Sequence, residues 1–264
     1  MMGGHVAYAA PDASGIALLT ISNPGKHNAI DIGMWRALRA RFDAINQLAA
    51  EAAPRCIVVC GEAGQFASGG DIDEFAGFRF DENALRHFHE HIVAPALQAM
   101  LDCDVPLVAQ IDGACIGGGL EVAACCDIRV CGSSSRFGVP IARLGFPMAP
   151  GELQRLVRAI DPSLVRSLLL EARLLDSAEA LLERIVHAVV PDSDVSAQAW
   201  QRAERIASLA PNAARINKQT LRQIARGGPT ETERHAHFGY ADSAEHREGI
   251  TAFLEKRTPR FRND

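Results

Sequence analysis

Two stretches of this chain share one grammar. "RCIVVCGEAGQFASGGDI" (55–72) and "PLVAQIDGACIGGGLEVAACCDIR" (106–129) each run from an unbroken apolar segment into a glycine-rich loop and on toward a helix. An apolar run without alternation reads as a buried strand. "HVAYAA" and "GIALLTI" read as two further strands around the turn "PDASG". Asp31 is placed to cap a helix with Met34, Trp35, Leu38, Phe42 and Ile45 on one face. A long helix is predicted from Glu82 to Leu101, and short extended pieces at "DIRVCG", "SRFGVP" and "IVHAVV". Beyond Gly151 the pattern turns mostly helical. The expectation is an α/β core over residues 1–191 followed by a helical region over 192–264.

The glycine loops invite a chemical reading. A helix start carries unpaired N–H groups, and glycine lets a ligand approach the backbone closely. Two such N–H groups aimed at one point would form an oxyanion hole. Sharp corners alone also call for glycines, and neither loop has the spacing of a phosphate-binding loop. Gly118 and Glu121 are three residues apart, so one helix face can carry both. Leu120, Val122, Ala123 and Ala124 would shield the Glu121 carboxylate and raise its pKa. A proton carrier beside an oxyanion hole suits enolate chemistry. An ordinary glutamate in a first helical turn accounts for the same spacing equally well.

Other features narrow the classes. The formal charge of −5 over 264 residues supplies no global field for nucleic acid. The seven cysteines are scattered, with no secreted-type framework and no paired clusters for zinc, so a reducing cytoplasm is expected and no metal site is. "MMGGHVAYAA" lacks the basic start and apolar run of a signal peptide, and no apolar run is long enough to span a membrane. In "RHFHEHI", His87 and His91 are four apart, but no third ligand is evident and a solvated helix face is the simpler reading. His89 and His91 are alternatively placed to border a substrate pocket.

Taken together, the motifs resemble the crotonase family, the enoyl-CoA hydratase/isomerase superfamily. "ISNPGKHNAI" is similar to its early Asn-Pro and Asn-Ala segment, and "GQFASGGDIDEF" to its first oxyanion loop. "PLVAQIDGACIGGGLEVAACCDIRV" resembles its most diagnostic motif, "RFGVPIARLGF" the strand that follows, and "EHREGITAFLEKRTPRF" its C-terminal signature. The resemblance implies a crotonase-like ββα spiral and a helical C-terminal region used in trimerisation, as a homotrimer or homohexamer. It implies an acyl-CoA thioester substrate, with coenzyme A part of that substrate and no separate cofactor. By the same resemblance the oxyanion donors are the backbone N–H groups of Gly70 and Gly118, and Glu121 is the proton carrier. The backbone at Ala67 and Ser68 would meet the adenine, Lys26 would border the CoA entrance, and Phe253 and Lys256 match positions that reach the nucleotide.

The chain also departs from the pattern. Hydratases of the family use two glutamates, and Ile141 stands where the second belongs. "MAPGE" replaces a glycine-rich segment, with Ala149 and Glu152 at two glycine positions. Isomerisation or other single-acid chemistry is therefore favoured over efficient hydration. Alternatives are a CoA-ester hydrolase or decarboxylase, or an acyl-CoA-binding protein whose catalysis has decayed. Glu152, Asp73, Glu74 and Glu90 are candidates for a compensating acid, though each reads more simply as a surface or capping residue. Arg184 occupies a usual turn-glycine position, where a change of local structure is expected.

Overall fold

A computed structural model describes residues 3–261; Met1, Met2 and residues 262–264, at the outer ends of the two expected regions, lie outside it. The strands are β1 (His5–Ala9), β2 (Ile16–Ser22), β3 (Cys56–Gly61), β4 (Leu107–Ile111), β5 (Ala114–Ile116), β6 (Ile128–Gly132), β7 (Arg136–Gly138), β8 (Leu174–Leu175) and β9 (Ala188–Val190). Six form one sheet in the order β1-β2-β3-β4-β6-β9, and β5-β7-β8 form a second. Only β1 pairs antiparallel in the larger sheet; β2 through β9 run parallel. Between β4 and β7 the chain visits the two sheets alternately, with a helix on the way. That is the ββα spiral expected from the resemblance.

The helices are α1 (Ile32–Asn46), α2 (Glu82–His87), α3 (Ala94–Leu101), α4 (Gly118–Ala124), α5 (Pro150–Ala159), α6 (Pro162–Leu170), α7 (Ser177–Leu182), α8 (Val195–Ala207), α9 (Pro211–Ala225), α10 (Glu231–His237) and α11 (Ala244–Leu254). As the sequence predicts, the Asp31 carboxylate caps α1 by accepting from the Met34 N–H, and Met34, Trp35, Leu38, Phe42 and Ile45 are its buried face.

The unbroken apolar strands are buried on both sides, as period two requires. Ile57, Val59, Leu107 and Ala109 face a core shared with α1 and α3. Val58, Val108 and Val130 face the other way and receive Ala199, Ala203 and Ala207 of α8. Three alanines four residues apart form a smooth stripe, so the helix can lie close on the sheet. Thus α8, beyond Pro191 in the chain, closes the sheet's second face. Farther on, Lys218 of α9 is nearly buried, donates to the Val105 carbonyl at 2.8 Å and pairs with Asp127 at 2.7 Å. The C-terminal helices are thereby tied to the strand ends.

The long helix expected over 82–101 is interrupted. A π-helical turn over Phe88–Val93 separates α2 from α3, and the Ala94 N–H reaches back to the His89 carbonyl. Pro95 stands in the first turn of α3 and has no N–H to offer the carbonyl four residues back, which favours such a register change. Arg184 also differs from expectation. It adopts the left-handed conformation itself, with φ at +60°, so the turn persists without its glycine.

Candidate active site

The two glycine loops meet. The Ala67 N–H donates to the Ala114 carbonyl at 2.9 Å, and the Ile116 N–H donates to the Ala67 carbonyl at 3.0 Å. Gly117 caps the start of α4 with φ at +51°, a conformation that disfavours any side chain. A Cβ on Gly119 would lie 2.4 Å from the Ala67 carbonyl oxygen, so only glycine permits this approach. The glycines are therefore where two loops press together, one on each side of a shared cleft.

Gly70 and Gly118 both line that cleft. Gly118 is the first residue of α4, where no carbonyl lies one turn back to accept its N–H. The Gly70 N–H likewise donates to no protein acceptor among the described residues, while its neighbours Ile30, Gly69 and Asp71 are paired through the bridge that holds the loop. The two amides thus stand on facing loops that border one cleft, each without an acceptor among the described residues.

Glu121 enters from the first turn of α4 and lines the same cleft. It is buried, and its Oε2 has no hydrogen-bond partner among the described residues. Burial pushes its pKa well above the ordinary carboxylate value; the nearby Glu152 charge adds to this and Arg155 opposes it.

Glu152 corrects an expectation. It is buried rather than a surface residue, and it lines the cleft with Glu121. It sits in the first turn of α5, after Pro150, where an acidic side chain suits the helix dipole. Its Oε1 shares a 2.6 Å hydrogen bond with Nδ1 of His89, which stands in the π-helical turn. The other compensating acids lie elsewhere. Asp73 is exposed and pairs with Lys26, the Glu74 carboxylate accepts from the Ile32 N–H at the start of α1, and Glu90 is exposed beside Arg86. Ile141 lines the cleft with its apolar side chain.

The remaining predicted residues fall in two places. Ser68 lines the cleft mouth, and its hydroxyl donates to the Lys26 carbonyl. Ala67 is buried behind it, with its N–H and carbonyl both committed to the strand at Ala114–Ile116. The Lys26 ammonium bridges Asp71 and Asp73, each at 2.7 Å, and so braces the loop that carries Gly70. Phe253 on α11 and Lys256 in the turn that follows it are exposed and are not among the residues lining the cleft. His87 and His91 are exposed, with ring centroids 5.2 Å apart. No group of three or more His, Cys, Asp or Glu among the described residues is placed to hold a metal.

Arg79 is among the cleft residues that the sequence reading does not single out. Arg79 lies between the Phe75 and Phe146 rings, its guanidinium carbon 4.0 and 3.6 Å from their centroids. The cleft is about 290 Å³, room for an acyl chain but not for a whole nucleotide thioester, whose remainder must lie outside.

Comparison with known proteins decides the family. The enoyl-CoA hydratase/isomerase family model matches residues 12–264. The chain belongs to the enoyl-CoA hydratase/isomerase family. Among its relatives in this family, the 2,3-dehydroadipyl-CoA hydratase of Escherichia coli is 32% identical over 254 residues, covering 94% of this chain and 95% of that protein. The mitochondrial methylglutaconyl-CoA hydratase of Mus musculus is 30% identical over 270 residues, covering 98% and 83%. A solved family structure, an enoyl-CoA hydratase/carnithine racemase from Magnetospirillum magneticum, superposes with a TM-score of 0.91 at 32% identity, covering 100% of this chain and 97% of that one. The α/β fold with its helical C-terminal region is thus a family fold.

Proposed function

We propose that the chain is an enzyme acting on an acyl-CoA thioester through an enolate. The N–H groups of Gly70 and Gly118 hold the thioester oxygen, and Glu121 moves the proton. The observation that carries this reading is the buried, unpartnered Glu121 Oε2 in a cleft that also holds two unpaired amides. A carboxyl with a raised pKa is a stronger base toward a C–H bond than an exposed one and a competent acid on the return. Glu121 takes a proton from carbon, the electron pair moves to the carbonyl oxygen, and the amides stabilise the charge that develops there. Return of the proton to a different carbon completes a double-bond isomerisation, which the apolar Ile141 favours.

Glu152 supports a second reading, hydration. A buried carboxylate bonded to His89 can activate water at the β-carbon while Glu121 serves the α-carbon. It reaches the cleft from α5, eleven positions beyond Ile141 in sequence, in place of the acid missing there.

The reading calls for no resident cofactor. Ser68 and the loop braced by Lys26 border the path of the CoA portion, with the backbone at Ala67 beside it. The rest of the nucleotide reaches the C-terminal region of an assembly of three or six copies, where Phe253 and Lys256 are exposed. Exposed Leu221, Ile224, Phe238 and Ile250 on that region support such contacts, and the seven buried free thiols suit a reducing cytoplasm. The test supplies α,β- and β,γ-enoyl-CoA esters in deuterated water. Deuterium incorporation at the α-carbon, with isomerised or hydrated product, is the expected result. No exchange and no turnover with any ester contradicts the proposal and supports the decayed binding protein. Glu152→Gln is expected to cut hydration at least tenfold while α-carbon exchange persists; equal loss of both would assign Glu152 to the fold instead.

A further inference from the structure

Arg79 is the one cleft-lining cation with no carboxylate, carbonyl or hydroxyl partner among the described residues. Its guanidinium makes no ion pair or hydrogen bond there, and its Nε is buried without an acceptor. A buried donor with no acceptor is costly unless something else satisfies it. Arg143, the other arginine lining the cleft, is exposed and already donates to the Ala172 carbonyl at 2.8 Å.

The packing around Arg79 fixes where its donors can go. Phe75 and Phe146 cover the guanidinium at 4.0 and 3.6 Å, and Phe78 lies 5.8 Å off. Phe78 in turn stacks on Phe88 of the π-helical turn at 4.3 Å. Aromatic rings hold an arginine by cation–π attraction and take none of its hydrogen bonds. The result is a planar fork held in place with its donors unspent, the state that suits bidentate binding of a carboxylate.

Its position identifies which end of a substrate it would meet. The Phe75 ring also adjoins Gly70, where a Cβ would lie 3.3 Å from it. Arg79 therefore stands one aromatic ring beyond the oxyanion glycine. Glu152 is the carboxylate whose charge reaches Arg79, but it is committed to His89. The other cleft carboxyl, Glu121, makes no ion pair or hydrogen bond with Arg79 either, so an anionic group on a ligand is the partner that the fork lacks.

We propose that Arg79 binds a carboxylate at the far end of a short acyl chain, so that the preferred substrates are CoA monothioesters of dicarboxylic acids. The proposal rests on the acyl-CoA reading above and narrows its substrate class. Burial of the guanidinium works against its charge, and a bound carboxylate would relieve that cost while adding two charge-assisted hydrogen bonds. A methyl-ended chain of the same length would bring apolar atoms against the fork and leave its buried Nε without an acceptor. Such mismatches discriminate more strongly than an added or lost methylene does.

The experiment compares two enoyl-CoA esters of equal length, one ending in a carboxylate and one in a methyl group. Turnover is followed for both, and binding of the saturated analogues is followed by calorimetry. Wild type is expected to favour the carboxylate ester at least tenfold in kcat/KM and in affinity. Arg79→Met is expected to collapse that ratio toward one, and Arg79→Lys to restore part of it. A brace with no substrate contact would lower both esters together and leave the ratio standing, which overturns the proposal. So does a wild type that favours the methyl-ended ester or treats the two alike, since the acyl-CoA reading then survives without this specificity. Binding of neither analogue overturns both.

Discussion

Glu121 carries the most informative single ionisation in the chain. Its carboxyl is raised well above 4.5, first by burial and then by Glu152. Between the ordinary value and the raised one, the folded chain keeps a proton that the unfolded chain releases. Folded protein then binds more protons than unfolded, so this residue's contribution to stability falls as pH rises through that window. Glu121→Gln removes the titration and keeps the shape. The variant is expected to melt above wild type at about pH 8, with the gap closing as pH falls toward about 5. Thermal unfolding across that range checks it, and a gap that widens on acidification contradicts the assignment. The burial itself was legible in "GGGLEVAAC", because every neighbour of Glu121 is apolar. Glu152 was misread as a surface group, although it stands four residues before Leu156 and the two form the buried face of α5. Arg79 gave no periodic signal, since its place between Phe75 and Phe146 joins segments almost seventy residues apart.

The elements that make the site are joined by close backbone contact more than by side chains. Gly119 is the clearest case, because a methyl group there would run into the Ala67 carbonyl. Gly119→Ala should force the loops at Gly70 and Gly118 apart, cost about 1–3 kcal/mol of stability, and lower activity far more than that loss of fold explains. Circular dichroism and denaturant unfolding measure the first effect, and turnover on a CoA ester measures the second. Unchanged activity would mean that the loop contact does not set the spacing of the two amides. The strands were readable from their unbroken apolar runs, and α1 from its cap and stripe. The short strand β5 was not readable, because its three residues lie inside what looks like a glycine loop. Nor was the π-helical turn, where the effect of Pro95 on the preceding carbonyl competes with an otherwise good helical pattern.

At the scale of the molecule, the spiral brings three segments distant in sequence around one cleft: the loop at 67–70, the start of α4, and the region from Pro140 to Glu152. The larger sheet fixes the first two, since β3 and β4 are adjacent parallel strands whose C-terminal ends deliver both glycine loops to the same edge. The C-terminal helices add exposed apolar surface that is not part of that cleft's lining. Sedimentation is expected to give three or six copies, and charged substitutions at Phe253 and Ile250 to lower that number; a monomeric wild type would remove the assembly from the account. The central claim is that Glu121 moves the α-proton of a thioester whose oxygen rests on Gly70 and Gly118. Solvent-deuterium exchange into a bound acyl-CoA reads that step without requiring the full reaction. Glu121→Gln is predicted to slow exchange by about 100- to 10,000-fold while the ester still binds. Exchange at the wild-type rate in that variant would contradict the account.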